Sequence, residues 1–242
     1  MSILPQLILN SVIAGSVYAL IALGFNLIYG TTKFFNLAHG AMAAVGGYAV
    51  LWLMRIAGGA NIVLLGAVGV LVAGLVGWCL DRLIYLPLRK RRATNMVLLV
   101  ASLGVFTAVQ AVIAMLFTSQ FQTLSQGGGD QTIYQIFGAV ITQTQLIILI
   151  FALAIMIGLA LMLKKTLFGK AIKAVSDDEE VAKIVGINTE KIIGRVFFIG
   201  SAIGGFIPGI WGDGAFSFAS VIGNAVGGVL GIWLGFKLSK YI

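Results

Sequence analysis

KKTLFGKAIKAVSDDEEVAKIVGINTEKIIGR, residues 164–195, holds half of the Lys, Arg, Asp and Glu residues of a 242-residue chain. The sequence on either side is almost wholly apolar. The chain is 60% hydrophobic and 10% charged, against roughly 25% charged in a typical soluble domain. A chain that gathers its charge in one internal stretch presents that stretch to water and withholds the rest. The rest reads as membrane.

Seven apolar runs surround the stretch, at 7–29, 34–54, 62–80, 96–117, 136–163, 196–211 and 218–236. Most reach the ~20 residues that a helix needs to cross ~30 Å of hydrocarbon. The run at 196 is short and the run at 136 is long. The short one is half-spanning or re-entrant, or it extends past Pro208. The fold class is all-α: a Gly-rich polytopic bundle of about seven spans, one membrane domain over 1–242 with the 164–195 loop inside it. The segment before the first run, MSILPQ, has no basic residue, so that run reads as a retained span, not a cleaved signal peptide.

Orientation follows from the basic residues. With the N-terminus outside and seven spans alternating, every Lys and Arg except Arg55 falls on the inner side. Lys and Arg concentrate in cytoplasmic loops, which gives an N-out, C-in topology. The same distribution explains the net charge of +8 without nucleic acid. The single cysteine, Cys79, excludes a disulfide within the chain and offers no metal site.

The charged stretch has its own local order. Ser176 precedes Asp177, Asp178, Glu179 and Glu180, and then the apolar Val181, Ala182, Ile184 and Val185. Ser176 as N-cap with Glu179 three residues on forms a capping box, and the other carboxylates suit a helix N-terminus. Gly186 follows as a helix-ending residue. A short helix is therefore expected over 177–185. Two turns are marginal alone in water, so it packs on its own chain or on a partner.

Other polar residues lie inside apolar runs. Asn36, His39 and Gly40 open the second run. Asn36 and His39 are three apart, which puts them on one helix face. Polar groups at membrane depth usually face a cavity or the bundle interior; here they either line a path or cap the helix. Asn26, Gln110 and Asn224 are further candidates. Gly223, Gly227, Gly231 and Gly235 share a helix face suited to close packing, as do Gly69, Ala73 and Gly77.

Several chemistries are missing. No GxxxxGK[ST] stretch occurs, so the chain does not bind ATP through a P-loop. No HExxH and no Ser/His/Asp set is present. Asp81 lies at a span end beside Arg82, and Asp130 in the outer loop, which leaves the spans without the acidic residue usual in proton-coupled transport. No catalytic residue, resident metal or cofactor is expected.

Three motifs in order resemble one family. Residues 15–50, GSVYALIALGFNLIYGTTKFFNLAHGAMAAVGGYAV, resemble the N-terminal signature of branched-chain amino acid ABC-transporter permeases of the LivH type. Leu86-Pro87-Leu88-Arg89 is similar to the segment after their third span. Gly169, Lys170 and Ala171 through Ala182 to Gly186 and Ile187 resemble their cytoplasmic loop. The resemblance runs over about residues 1–206. It implies an importer subunit in a bacterial or archaeal cytoplasmic membrane, with ATP bound by partner chains. Those partners would be a second permease, two ABC ATPase subunits, an extracytoplasmic solute-binding protein and membrane lipid. The helix over 177–185 would be the coupling helix that docks on an ATPase. Branched-chain amino acids are the implied substrate. After Phe206 the sequence departs from the family's pattern. The rival readings are a small-solute channel of urea or amide type, a truncated permease copy without a working path, and a membrane enzyme built on His39.

Overall fold

The computed structural model describes residues 3–57, 62–117, 133–136 and 139–210. The seventh run, with Gly223, Gly227, Gly231, Gly235 and Asn224, lies outside them. The long helices are α1 (Ile3–Thr32), α2 (His39–Ala57), α3 (Ile62–Leu80), α5 (Asn95–Phe117), α6 (Gln143–Lys165) and α9 (Thr189–Ile210). Three short helices join them: α4 (Leu86–Lys90), α7 (Leu167–Asp177) and α8 (Glu179–Ile184). Among the described residues, four segments are long and apolar enough to cross a membrane: Leu4–Thr32, Leu64–Lys90, Asn95–Phe117 and Gln145–Lys165. The apolar run at 196 belongs to a helix that starts seven residues earlier, at Thr189, but the added residues, TEKIIGR, carry charge, so the helix is longer than the run while its apolar part stays short.

α9 is the centre of the bundle and packs on α3, α2 and α1. Glycines permit that closeness. A Cβ on Gly24 would stand 2.6 Å from the Gly200 carbonyl oxygen, and one on Gly46 would stand 2.6 Å from that of Gly205. Gly69, Ala73 and Gly77 form the expected packing face on α3: Gly69 meets α2, while Ala73 and Gly77 meet Gly205 and Ser201 of α9. By contrast α5 buries only Leu98, Ser102 and Val105 and turns large apolar side chains such as Val100 and Met115 outward.

Two features depart from the sequence reading, the first of them from its all-α fold class. β1 (Ile133–Ile136) and β2 (Ala139–Thr142) form an antiparallel hairpin with Ile133 opposite Thr142. The run from 136 is therefore not one span. Ile, Val and Tyr favour strands, and Thr142 then starts α6 with a capping box to Gln145. The Gln6 side chain of α1 clamps the hairpin, accepting from Val140 N at 2.7 Å and donating to Val140 O at 3.1 Å.

The second departure lies between α3 and α4. No loop starts at Asp81; the helix continues through a π-helical stretch, Asp81–Tyr85, into α4. Pro87 is the sequence cause. It has no N–H to give residue 83, and its ring crowds that carbonyl. The Leu86 N–H bonds instead to Asp81 O, five residues back, the wide turn of a π-bulge.

Candidate docking surface and buried polar core

The charged stretch folds as two helices, not one. Thr166 caps α7, its Oγ1 accepting from Gly169 N at 3.0 Å. Gly169 is buried where a Cβ would collide with the Met162 and Leu163 carbonyls at the end of α6. α7 buries Ile172 and Val175 with Ala171 half-buried beside them. Arg195 lies over the Phe168 ring, 6.0 Å from its centroid.

The cap of α8 is Asp178, and Ser176 is not part of it. Asp178 Oδ1 accepts from Glu180 N at 2.8 Å and Val181 N at 3.0 Å. Ser176 is instead inside α7, where its Oγ donates to the Gly30 carbonyl at the end of α1, at 2.7 Å. The helix boundary falls two residues later than the capping-box pattern predicts, because α7 runs on through Asp177. Asp177 is the last residue of α7 and is exposed. Glu179 pairs with Lys183 at 2.8 Å and accepts from Thr189 Oγ1 at 3.3 Å.

The C-terminal end of α8 behaves as the sequence predicts. Gly186 has φ +86°. Its N–H donates to Lys183 O, and that of Ile187 to Ala182 O, each at 3.0 Å. That pair of bonds is the Schellman arrangement, which favours glycine at the left-handed position. Ala182 is buried and Ile187 packs on the core, so one face of α8 is fastened to the protein. The other face carries Val181, Ile184 and Val185, which are 54%, 84% and 68% exposed. Their i, i+3, i+4 spacing makes one continuous apolar patch, set in the most charged part of the chain.

The polar residues of the second run are interior. Asn36 is not on a helix face shared with His39; it sits in the turn before α2, where its Oδ1 accepts from Ala38 N at 3.1 Å. That oxygen also accepts from Tyr85 OH at 3.0 Å, which ties the turn to the π-helical stretch. Leu37 N donates to Ser102 Oγ at 3.1 Å, and Asn95 Nδ2 donates to Lys33 O at 3.3 Å. A buried turn needs such partners for its backbone. His39 opens α2 and fills a space between Gly24 and Gly204, edge-on to Phe25 at 6.0 Å. Neither ring nitrogen meets a partner in hydrogen-bond geometry among the described residues. Gly40 is half-buried behind it, whereas Asn26 on α1 is exposed.

A buried ion pair escaped the sequence reading. Asp81 is wholly buried and pairs with Arg89 at 2.6 Å. Its sequence neighbour Arg82 lies over Trp78 instead. The signal available was Pro87 between them, which marks the helix irregularity. Nearby, Lys90 reaches Glu190 of α9 at 3.2 Å, so the segments around 33, 90 and 190 meet at one end of the bundle.

The family model described as the permease component of branched-chain amino acid transport systems matches residues 7–211. The chain belongs to this family. It is 31% identical over 208 residues to the high-affinity branched-chain amino acid transport permease LivH of Escherichia coli K12, covering 82% of this chain and 67% of that protein. LivH of Salmonella typhimurium is 30% identical over the same shares. BraD of Pseudomonas aeruginosa, a permease of the same description, is 27% identical across 95% of this chain and 82% of its own length. A match that broad reaches into the stretch after Phe206, where the family model stops at residue 211. No solved structure matches the chain.

Proposed function

We propose that this chain is the membrane subunit of an ABC importer that moves branched-chain amino acids into the cell. Its charged stretch is the contact for a separate ATPase. The observation that carries the reading is α8, with Asp178 at its start, Gly186 at its end and an apolar face of Val181, Ile184 and Val185 left in water. A helix capped at both ends and fastened on one side keeps its outer face presented, and such a patch marks a protein-docking site. Gly169, Ala171, Ser176, Asp177, Glu179, Glu180, Ala182 and Ile187 support that face.

The same reading covers the rest of the molecule. The chain is one membrane domain of seven spans, N-out and C-in, in a cytoplasmic membrane. Membrane lipid and a second permease cover the apolar flank of α5, two ATPase subunits supply ATP hydrolysis, and an extracytoplasmic binding protein delivers the solute. Asn26, Asn36, His39 and Gly40 are its path candidates.

Affinity purification from native membranes, with the co-purifying proteins identified by mass spectrometry, tests the assembly. An ABC ATPase and a second permease are the expected companions, together with ATP-dependent leucine uptake by the reconstituted complex. Recovery of this chain alone from membranes that express those partners would sink the proposal in favour of a channel.

A further inference from the structure

A cavity of about 380 Å³ opens between α1, α6 and α7. Its walls carry two kinds of group. Leu27 and Leu159 supply an apolar side, while Asn26, Lys164, Lys173 and Asp177 supply a polar one. Neither lysine and not Asp177 takes part in an ion pair among the described residues.

Asn26 decides what kind of occupant fits. It lies six residues before the end of α1, about 9 Å along the helix axis, and it is exposed between the buried Phe25 and Leu27. An amide at that depth is costly against hydrocarbon and belongs to a polar cavity or the bundle interior. A lipid acyl chain would leave it without partners. A phosphate headgroup would satisfy the lysines but meet Asp177 with like charge. A zwitterion with a small aliphatic side chain has a match for each wall: its carboxylate for Lys164 or Lys173, its ammonium for Asp177 and the Asn26 carbonyl, its side chain for the leucines.

Resting on the proposed role in amino acid import, we infer that this cavity is the inward-facing release site, where Asn26, Lys173 and Asp177 hold a zwitterionic aliphatic amino acid. α7 forms its floor, pinned to α1 by the bond from Ser176 to Gly30, and α8 follows after one residue. Movement of the docked helix therefore reaches the floor of the site directly.

The test uses the complete transporter in inside-out vesicles, with Cys79→Ala as the parent and Asn26→Cys or Lys173→Cys added. A membrane-impermeant sulfonated thiol reagent is expected to label both positions. Leucine at ten times the dissociation constant measured for each variant itself is expected to slow both reactions by about tenfold, by mass action. Lys173 is exposed, so that variant keeps the test open if Asn26→Cys fails to assemble. Labelling of Asn26→Cys by membrane-permeant reagents alone overturns the inference, as does labelling at both positions that leucine leaves unchanged. If the parent takes up leucine while neither cysteine is protected, the release site alone is wrong. If the parent takes up none, the importer reading fails and this inference fails with it.

Discussion

Asp81 and Arg89 are eight residues apart on one continuous helix, yet they meet side by side at 2.6 Å with Asp81 fully buried. On a regular α-helix residues at that spacing differ in direction by about 80°. The π-helical stretch takes more residues per turn and reduces the offset. Removing one member of a buried pair leaves a lone buried charge and costs about 3–5 kcal/mol. We predict that Arg89→Ala sharply lowers the thermal unfolding temperature of the purified protein, and that Asp81→Asn with Arg89→Met recovers much of the loss. Equal loss in the single and double variants would show that the pairing is not what matters.

Gly186 sets the end of α8 with φ +86°. A side chain there costs roughly 1–2 kcal/mol, which is comparable to the stability of a two-turn helix. Gly186→Val is expected to reduce ATPase association and leucine uptake together, while Gly186→Asn keeps most of both because Asn tolerates the left-handed region. Normal uptake in Gly186→Val would remove α8 from the coupling step.

The outer face of α8 makes a cleaner separation between folding and docking. Val181 and Ile184 are exposed, so Asp at either position is expected to alter stability by no more than about 0.5 kcal/mol. At a protein interface the same changes are expected to cost more than about 1 kcal/mol of binding. Pull-down of the ATPase against the melting curve of the isolated permease reads both. Loss of stability without loss of binding would refute the docking face.

Helix packing offers a contrast between glycines. A Cβ at Gly205 would strike Ala73 of α3, whereas Gly104 has open space around it. Forcing a side chain into packed helices costs about 1–3 kcal/mol, so Gly205→Val is expected to lower the yield of folded protein. Gly104→Ala is expected to leave it unchanged or raise it, since Ala favours helix over Gly by up to about 1 kcal/mol. Equal yields would mean that α3 and α9 do not pack as described.

Some of this was legible in the sequence and some was not, for identifiable reasons. Long apolar runs declared the helices, and Gly186 declared the end of α8, because both signals are local. The start of α8 was misplaced since Ser176 and Asp178 are equally good caps on paper; only the contact of Ser176 with Gly30 assigns it elsewhere. The second strand hid at the start of an apolar run, where strand and helix look alike without periodicity, and the first lay in the polar stretch before that run. The partnership of Asp81 with Arg89 depends on the π-helical turn, which no spacing rule for regular helices contains. Asn26 was nameable as a polar residue in a span, but its place beside Lys173 and Asp177 arises from α1, α6 and α7 meeting in space.

Asp178 is the only residue between α7 and α8. A single residue has two soft torsions, so the helices form a jointed arm with almost no slack. One end of that arm carries the exposed apolar face of Val181, Ile184 and Val185; the other grips α1 through Ser176 and rests on the backbone of α6 through Gly169. Lengthening the joint by an inserted glycine would leave both helices, the docking face and ATP turnover in place while the stroke was lost between them. On the proposed importer reading, the assembled transporter would consume ATP through its ATPase subunits and deliver nothing, and its idle ratio of hydrolysis to uptake would measure how much of the work passes through one peptide unit.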